Sequence, residues 1–190
     1  MTQAITPRDT SRSDLLKIAA GGVLTGILTS VLLPIIDRLS ALPGDVRIVL
    51  VALPFAVLVL VLARRLSANP WWAALIAAAV TMIAFVCAVN AAVLVDRQAI
   101  DAGKTLRGVL AGLTGGFVGA GIMALAIAWL SAGPRALRAW LPMLISGTVT
   151  GALLALDNLL GLDSTSVLFP VWQACVAVGL AEALRRTVLA

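Results

Sequence analysis

Few ionisable or amide side chains lie inside the apolar stretches of this 190-residue chain. Asp157, Asn90 and Gln173 lie at a similar depth on three different predicted helices, and Glu182 lies near the end of the last one. Because a charged side chain at the centre of a bilayer costs about 2.5–3.5 kcal/mol, such residues usually have a function. We therefore predict a substrate or ion pathway formed by Asp157, Asn90, Gln173 and Glu182.

Two of these residues also have a purely structural interpretation. Asp157 follows an apolar run, which is equally consistent with a helix end or cap in the headgroup region. Glu182 precedes two arginines by three and four positions, the spacing of an ion pair on one helix surface. A pathway would make solute flux depend on the Asp157 carboxylate, whereas a helix cap would not.

Several catalytic chemistries lack the residues that they need. The chain has no histidine and no tyrosine, which removes the usual haem and copper ligands and the Ser-His-Asp arrangement. Cys87 and Cys175 are far apart in the sequence and form no CxxC motif, so they are typical of small apolar residues in a helix. We predict that the protein is not an enzyme and holds no metal and no cofactor.

The composition predicts an integral membrane protein. Hydrophobic residues make up 61% of the chain and charged residues 12%, with a mean hydropathy of +1.07. Soluble domains carry about 25% charged residues. The formal charge of +5 does not indicate nucleic-acid binding, because the basic residues are spread over the ends of apolar stretches. The lipid bilayer is therefore the predicted partner of this surface.

Six apolar segments are near the length of about 20 residues that a membrane-spanning helix needs. They predict an all-α, compact bundle of six transmembrane helices over residues 18–190, preceded by a polar tail at 1–17. The segments are 18–36, 46–63, 71–95, 108–132, 139–156 and 167–184.

The distribution of lysine and arginine predicts the orientation. If both termini are cytoplasmic, nine of these residues lie inside and five outside. Cytoplasmic loops usually carry the excess of positive charge, so the N-in, C-in arrangement is favoured. We expect a multi-pass protein of the bacterial cytoplasmic (inner) membrane.

An internal repeat is suggested by residues 17–95 and 107–186. Gly22 and Gly26 recur at an offset of 90 as Gly112 and Gly116, and prolines and tryptophans recur nearby. A three-helix unit used twice would have its second copy inverted, as in many transporters. The alternative is chance, since glycine, alanine, leucine and proline are common in any membrane chain.

Glycines four positions apart predict close helix packing, because they share one helix face and let backbones approach. The same glycines are also consistent with a glycine-lined path or a seam between identical subunits. The residues are Gly22, Gly26, Gly112, Gly115, Gly116, Gly119, Gly147 and Gly151.

Two functions from different classes fit these features. The first is a small transport or permeation protein, or the membrane-embedded substrate-binding component of a transporter, of unknown substrate. The second is a non-catalytic membrane subunit that assembles with and stabilises a larger membrane complex. A transporter should enclose a cavity, whereas an assembly subunit should have a solid core and a small-residue outer face.

Overall fold

The computed structural model describes residues 12–39, 43–67, 70–130, 136–162 and 166–186. This part of the chain is helical and contains no strand. The helices are α1 (Arg12–Leu39), α2 (Gly44–Val51), α3 (Leu53–Leu66), α4 (Trp71–Gln98), α5 (Lys104–Trp129), α6 (Leu137–Gly151), α7 (Leu153–Leu160) and α8 (Leu168–Arg186).

Five helical stretches are long and apolar enough to cross a membrane: Arg12–Arg38, Trp71–Gln98, Lys104–Trp129, Leu137–Leu160 and Leu168–Arg185. The prediction of an all-helical membrane protein agrees with this finding. The predicted segment at 46–63 is different, because it folds as the two shorter helices α2 and α3.

The first helix extends beyond its predicted bounds. It begins at Arg12, so the last residues of the predicted polar tail at 1–17 are helical, and the rest of that tail lies outside the described residues. Asp14 lies in the first turn of α1, where a negative charge favours the helix dipole.

The break between α2 and α3 lies at Ala52, two residues before Pro54. Proline has no backbone N–H, so Leu50 loses the partner that a continuous helix would give its carbonyl. The Ala52 N–H bonds to the carbonyls of both Ile48 and Val49, which tightens the turn. Proline is well tolerated in the first turn of the new helix, and α3 therefore starts at this point.

The break between α6 and α7 lies at Ala152 and involves no proline. It follows Gly151, and the Ala152 N–H bonds to the carbonyl of Val149 instead of one a full turn back. The hydroxyl of Thr150 donates to the carbonyl of Ser146 in the preceding turn. A glycine together with such side-chain bonds to the backbone is a known cause of helix bending.

The most closely packed helix pairs are antiparallel, which gives the bundle two ends; these pairs are α1–α8, α4–α5, α5–α6 and α6–α8. The aspartate end lies where α1, α4 and α7 finish and contains Asp37, Asp96 and Asp157. The arginine end lies where α3 and α8 finish and contains Arg64 and Arg185. Helix α1 packs on α8, α4 on α5, and α6 on both α5 and α8.

The hydrophobic core fills the half of the bundle near the arginine end. Phe55, Met123, Met143, Leu180 and Leu184 are fully buried there. The outer surface is also apolar, with 68% of Leu125, 62% of Val149 and 57% of Ile83 exposed. A soluble protein does not carry such an extensive apolar surface, so this surface is suited to lipid.

Candidate functional site

The half of the bundle near the aspartate end contains a cavity of about 500 Å³. Its lining residues come from α1, α2, α4, α5, α6, α7 and α8, and we call it the central cavity. Val51, Phe85, Val89, Gly115, Gly151 and Trp172 are among them. Its volume is within the range of about 300–1,000 Å³ that is usual for small-molecule sites.

Glycines form one wall of the central cavity. Gly112, Gly115 and Gly116 of α5 and Gly151 of α6 all line it. A Cβ at any of these positions would meet the facing helix, α4, α5 or α6, rather than open space. The absence of side chains lets α5 and α6 come together, because a Cβ on Gly116 would overlap the carbonyl group of Gly147.

The remaining glycines that were predicted to pack helices also lie against helices of this chain. A Cβ on Gly22 would overlap the backbone of Ala174, and a Cβ on Gly26 the backbone of Pro170. A Cβ on Gly119 would lie 3.2 Å from both the Ala88 Cβ and the Trp172 ring. Gly147 of α6 is closer still to α5, since a Cβ built on it would lie 2.9 Å from the Ala120 Cβ.

Both helix breaks lie at the central cavity. Val51 precedes the break at Ala52, Gly151 precedes the break at Ala152, and both residues line the cavity. In each case, a helix of eight residues connects the break to the aspartate end. Because Ala52 and Ala152 keep helical φ and ψ values, each break is a bend in the helix rather than an unwound segment.

A second cavity of about 340 Å³ adjoins the first, and we call it the side cavity. The two cavities share Ala92, Val93 and Leu154 as lining residues. The side cavity is polar, because Asp96, Lys104, Arg107 and Asn158 also line it.

Two ion pairs lie at the edge of these cavities. The Arg107 guanidinium makes a bidentate contact with Asp96, from Nε to Oδ1 at 2.9 Å and from Nη2 to Oδ2 at 2.6 Å. Arg47 of α2 lies 3.5 Å from the Asp37 carboxylate of α1. The bidentate geometry fixes the position of the Arg107 side chain.

The Asp157 side chain of α7 caps the start of the next helix, α8, and does not line the cavities. Its carboxylate accepts the backbone N–H of Val167 at 3.0 Å and of Leu168 at 3.2 Å, and it accepts the Ser166 hydroxyl. These are donors that the N-terminus of α8 would otherwise leave unpaired. Asp157 is 8% exposed and connects the end of α7 to the start of α8.

Gln173 is fully buried where α1, α8 and the first helix break meet. Its amide Nε2 donates to the Thr29 hydroxyl at 3.0 Å, and that hydroxyl donates to the Val51 carbonyl at 3.3 Å. The Gln173 Oε1 atom and the Trp172 Nε1 atom are buried and have no hydrogen-bond partner. This part of the bundle therefore holds two unpaired polar atoms on adjacent residues.

Asn90 and Glu182 take no part in the hydrogen bonds of Asp157 or in those of Gln173. Asn90 is exposed, and its Nδ2 donates to the Val86 carbonyl of its own helix at 3.0 Å. Glu182 is half-buried near the arginine end and, among the described side chains, forms no ion pair with Arg185. The side chain of Arg186 lies outside the described set.

The structure does not bring together the three polar residues that were predicted at one level. No described hydrogen bond joins any two of Asp157, Asn90 and Gln173, and none of them lines the central or the side cavity. The reason is local, since each amide or carboxylate bonds to a nearby backbone group or hydroxyl. Their role in a pathway stays a prediction.

Sequence reasoning missed the side cavity, although its residues carried a signal. Asp96 and Arg107 are charged residues of opposite sign on either side of a short loop, eleven positions apart, and Arg107 was counted only for orientation. Within the described residues, no group of three His, Cys, Asp or Glu side chains could hold a metal ion.

Together, the two cavities place an apolar space, the central cavity, next to a charged one, the side cavity. Such a site can bind a solute that has an apolar body and a polar group, without covalent chemistry. Comparison of the chain with family models, with curated proteins and with solved structures finds no match.

Proposed function

We propose that this protein is a small membrane transport or permeation protein, or the membrane-embedded substrate-binding component of a transporter. The observation that carries the proposal is the central cavity between two helix breaks at the same level. These bent helices are less interrupted than the discontinuous helices that form substrate sites in many transporters, but they likewise place a local change of backbone hydrogen bonding at the cavity.

A six-span arrangement supports this function, and we infer that α2 and α3 together form the sixth span. At 1.5 Å per residue, their combined length is enough for a hydrocarbon core of about 30 Å. The aspartate end then faces outward and both termini are cytoplasmic, following the lysine and arginine counts, with the bacterial inner membrane as the expected location.

The packing of the helices favours an inverted repeat of residues 17–95 and 107–186. The first helix of each unit, α1 or α5, packs on the last helix of the other unit, α8 or α4. In both units the middle span is the broken one. The two breaks lie at the same end of the bundle, however. An inverted repeat would place equivalent positions at opposite ends, so the two breaks are not equivalent positions of the repeat.

Transport is tested with purified protein in liposomes. We expect protein-dependent release of small entrapped solutes. A panel of solutes that differ in size and charge would show which of them the protein transports. Ala92→Trp should abolish it, because Ala92 lines both cavities and an indole would fill them. Val149→Trp is the matched control on the outer surface, where that residue is 62% exposed. Release that is insensitive to Ala92→Trp would contradict the proposal.

The second candidate is a subunit that assembles with a larger membrane complex. Such a subunit was expected to contact its partners through its glycine faces, but helices of the same chain already pack on these faces. The outer face of the bundle carries large side chains such as Leu125 and Ile83, whereas an assembly subunit was expected to have small residues there. Native mass spectrometry after gentle extraction distinguishes the two, because a different protein in stoichiometric amount would favour assembly. A single species or a homo-oligomer would favour transport.

A further inference from the structure

The central cavity is apolar almost throughout. Of the residues that line it, only Asp37, Arg47 and Trp172 have polar side-chain atoms. Asp37 and Arg47 pair with each other, and the Trp172 Nε1 atom is buried. A solute in this chamber therefore gains by burying apolar surface rather than by making several hydrogen bonds.

The side cavity supplies the opposite environment. Lys104 and Arg107 bring two positive charges to its lining and Asp96 brings one negative charge. Arg107 is paired with Asp96 through two contacts, while Lys104 has no ion pair among the described residues. Across both cavities the lining carries three cations and two anions, so a single positive charge is unbalanced.

The start of α5 adds to this positive potential. Lys104 is the first residue of that helix, and the N-cap residue Gly103 provides no side-chain cap. The backbone N–H groups of the first turn thus remain available, and the helix dipole places partial positive charge at this end. An anion near Lys104 would receive both contributions.

We propose that the two cavities form one binding site for an amphipathic monoanion, whose apolar body occupies the central cavity and whose anionic group lies at Lys104 and Arg107. The inference rests on the proposed function, since it names the class of solute for the same cavity. The shared walls at Ala92, Val93 and Leu154 allow one molecule to reach both environments.

The anionic amphiphile has two sources, a free carboxylate from the aqueous phase and an anionic lipid from the bilayer. Decanoate and phosphatidylglycerol represent them, and each is available with bromine on the apolar chain. Bromine quenches tryptophan fluorescence at short range, and Trp172 lines the central cavity. Trp172→Phe identifies which part of the quenching comes from this residue.

The experiment is a titration of the full-length protein with brominated decanoate, first in detergent and then in phosphatidylcholine vesicles. We expect saturable quenching that Trp172→Phe removes. Brominated decanol has the same apolar body without the charge and should bind at least tenfold more weakly, as expected for the loss of a charge-assisted contact. Vesicles with brominated phosphatidylglycerol and no decanoate report on the lipid source.

Lys104→Gln tests the position of the anionic group. It should weaken decanoate binding about tenfold and leave decanol binding unchanged. Arg97→Gln is the matched control, because Arg97 is an exposed cation at the same end that lines neither cavity. Equal effects of the two variants would overturn the assignment to Lys104.

Failure of this inference is distinguishable from failure of the proposed function. If decanol binds as tightly as decanoate, the cavity accepts solutes but selects no anion, and the inference is wrong while transport stands. If neither compound quenches Trp172, the inference is also wrong. Protein-dependent solute release that Ala92→Trp blocks would then still support transport of another solute.

Discussion

Gly112 of α5 and Gly151 of α6 lie backbone to backbone where their helices cross at the wall of the central cavity. A Cβ on Gly112 would overlap the Gly151 carbonyl oxygen, and a Cβ on Gly151 would overlap the Gly112 carbonyl oxygen. Since the conflict is with backbone, no side-chain rotation relieves it. The contact both closes the bundle and keeps the cavity wall free of side chains.

Substitution of either glycine by alanine should therefore separate the two helices. We expect Gly112→Ala or Gly151→Ala to lower the free energy of unfolding by about 1–3 kcal/mol, the usual cost of overpacking. Gly121→Ala in the same helix meets no atom within 4 Å and should raise stability by about 0.5–1 kcal/mol through helix propensity. Unfolding in mixed micelles measures all three. Equal effects at Gly112 and Gly121 would contradict the close crossing.

The Asp157 carboxylate should stabilise the start of α8. Asp157→Ala removes the acceptor for the Val167 and Leu168 N–H groups, and we expect a loss of about 1–2 kcal/mol in unfolding free energy. Asp101→Ala is the control, because Asp101 is exposed and forms no described ion pair. Thermal unfolding in detergent suffices for the comparison. Unchanged stability combined with abolished flux would instead favour the pathway role predicted for Asp157.

Thr29 and Gln173 should contribute unequally although they bond to each other. Gln173→Met removes a buried amide whose Oε1 is unpaired, so stability should change little or increase. Thr29→Val leaves the Gln173 amide without its partner and should cost about 1–3 kcal/mol. The cost of Thr29→Val should shrink in a Gln173→Met background, which a double-mutant cycle of unfolding free energies measures. A cost that is the same in both backgrounds would show that the two residues do not interact.

Asp96 should compete with a bound anion for Arg107. In Asp96→Asn the Nε and Nη2 atoms of Arg107 are released from the carboxylate, so decanoate affinity should rise about threefold or more. Fluorescence quenching by brominated decanoate gives the affinities, with Asp101→Asn as the control at the same end. Weaker binding in Asp96→Asn would mean that the ion pair positions Arg107 and does not mask it.

Helix location was predictable from the sequence because long apolar runs leave few alternatives in a membrane. The predicted segment 71–95 corresponds to α4, Trp71–Gln98, and 108–132 overlaps α5, Lys104–Trp129. The break at Ala52 is explained by Pro54, because a proline removes a backbone hydrogen bond from the helix that contains it. The break at Ala152 had no comparable signal, because it depends on Gly151 and on hydroxyl bonds to the backbone.

The candidate site was much less predictable. Depth along a helix can be read from sequence position, but the direction of a side chain around the helix axis depends on packing. Asn90, for example, is exposed and bonds to its own helix, so the structure does not bring it together with Asp157 or Gln173, and its role in a pathway stays a prediction. The central cavity is lined by residues from seven helices, and no local sequence pattern encodes how those helices come together.

Transport, the central proposal, requires that the central cavity be reachable from the aspartate end, and cysteine labelling tests this requirement most directly. In a background with Cys87→Ala and Cys175→Ala, Val89→Cys lies in the cavity lining and Val149→Cys on the outer surface. In intact cells, a membrane-impermeant thiol reagent should label Val89→Cys from outside, and Ala92→Trp should prevent it, while Val149→Cys stays unlabelled. Absence of labelling at Val89→Cys from either side of the membrane would contradict the account.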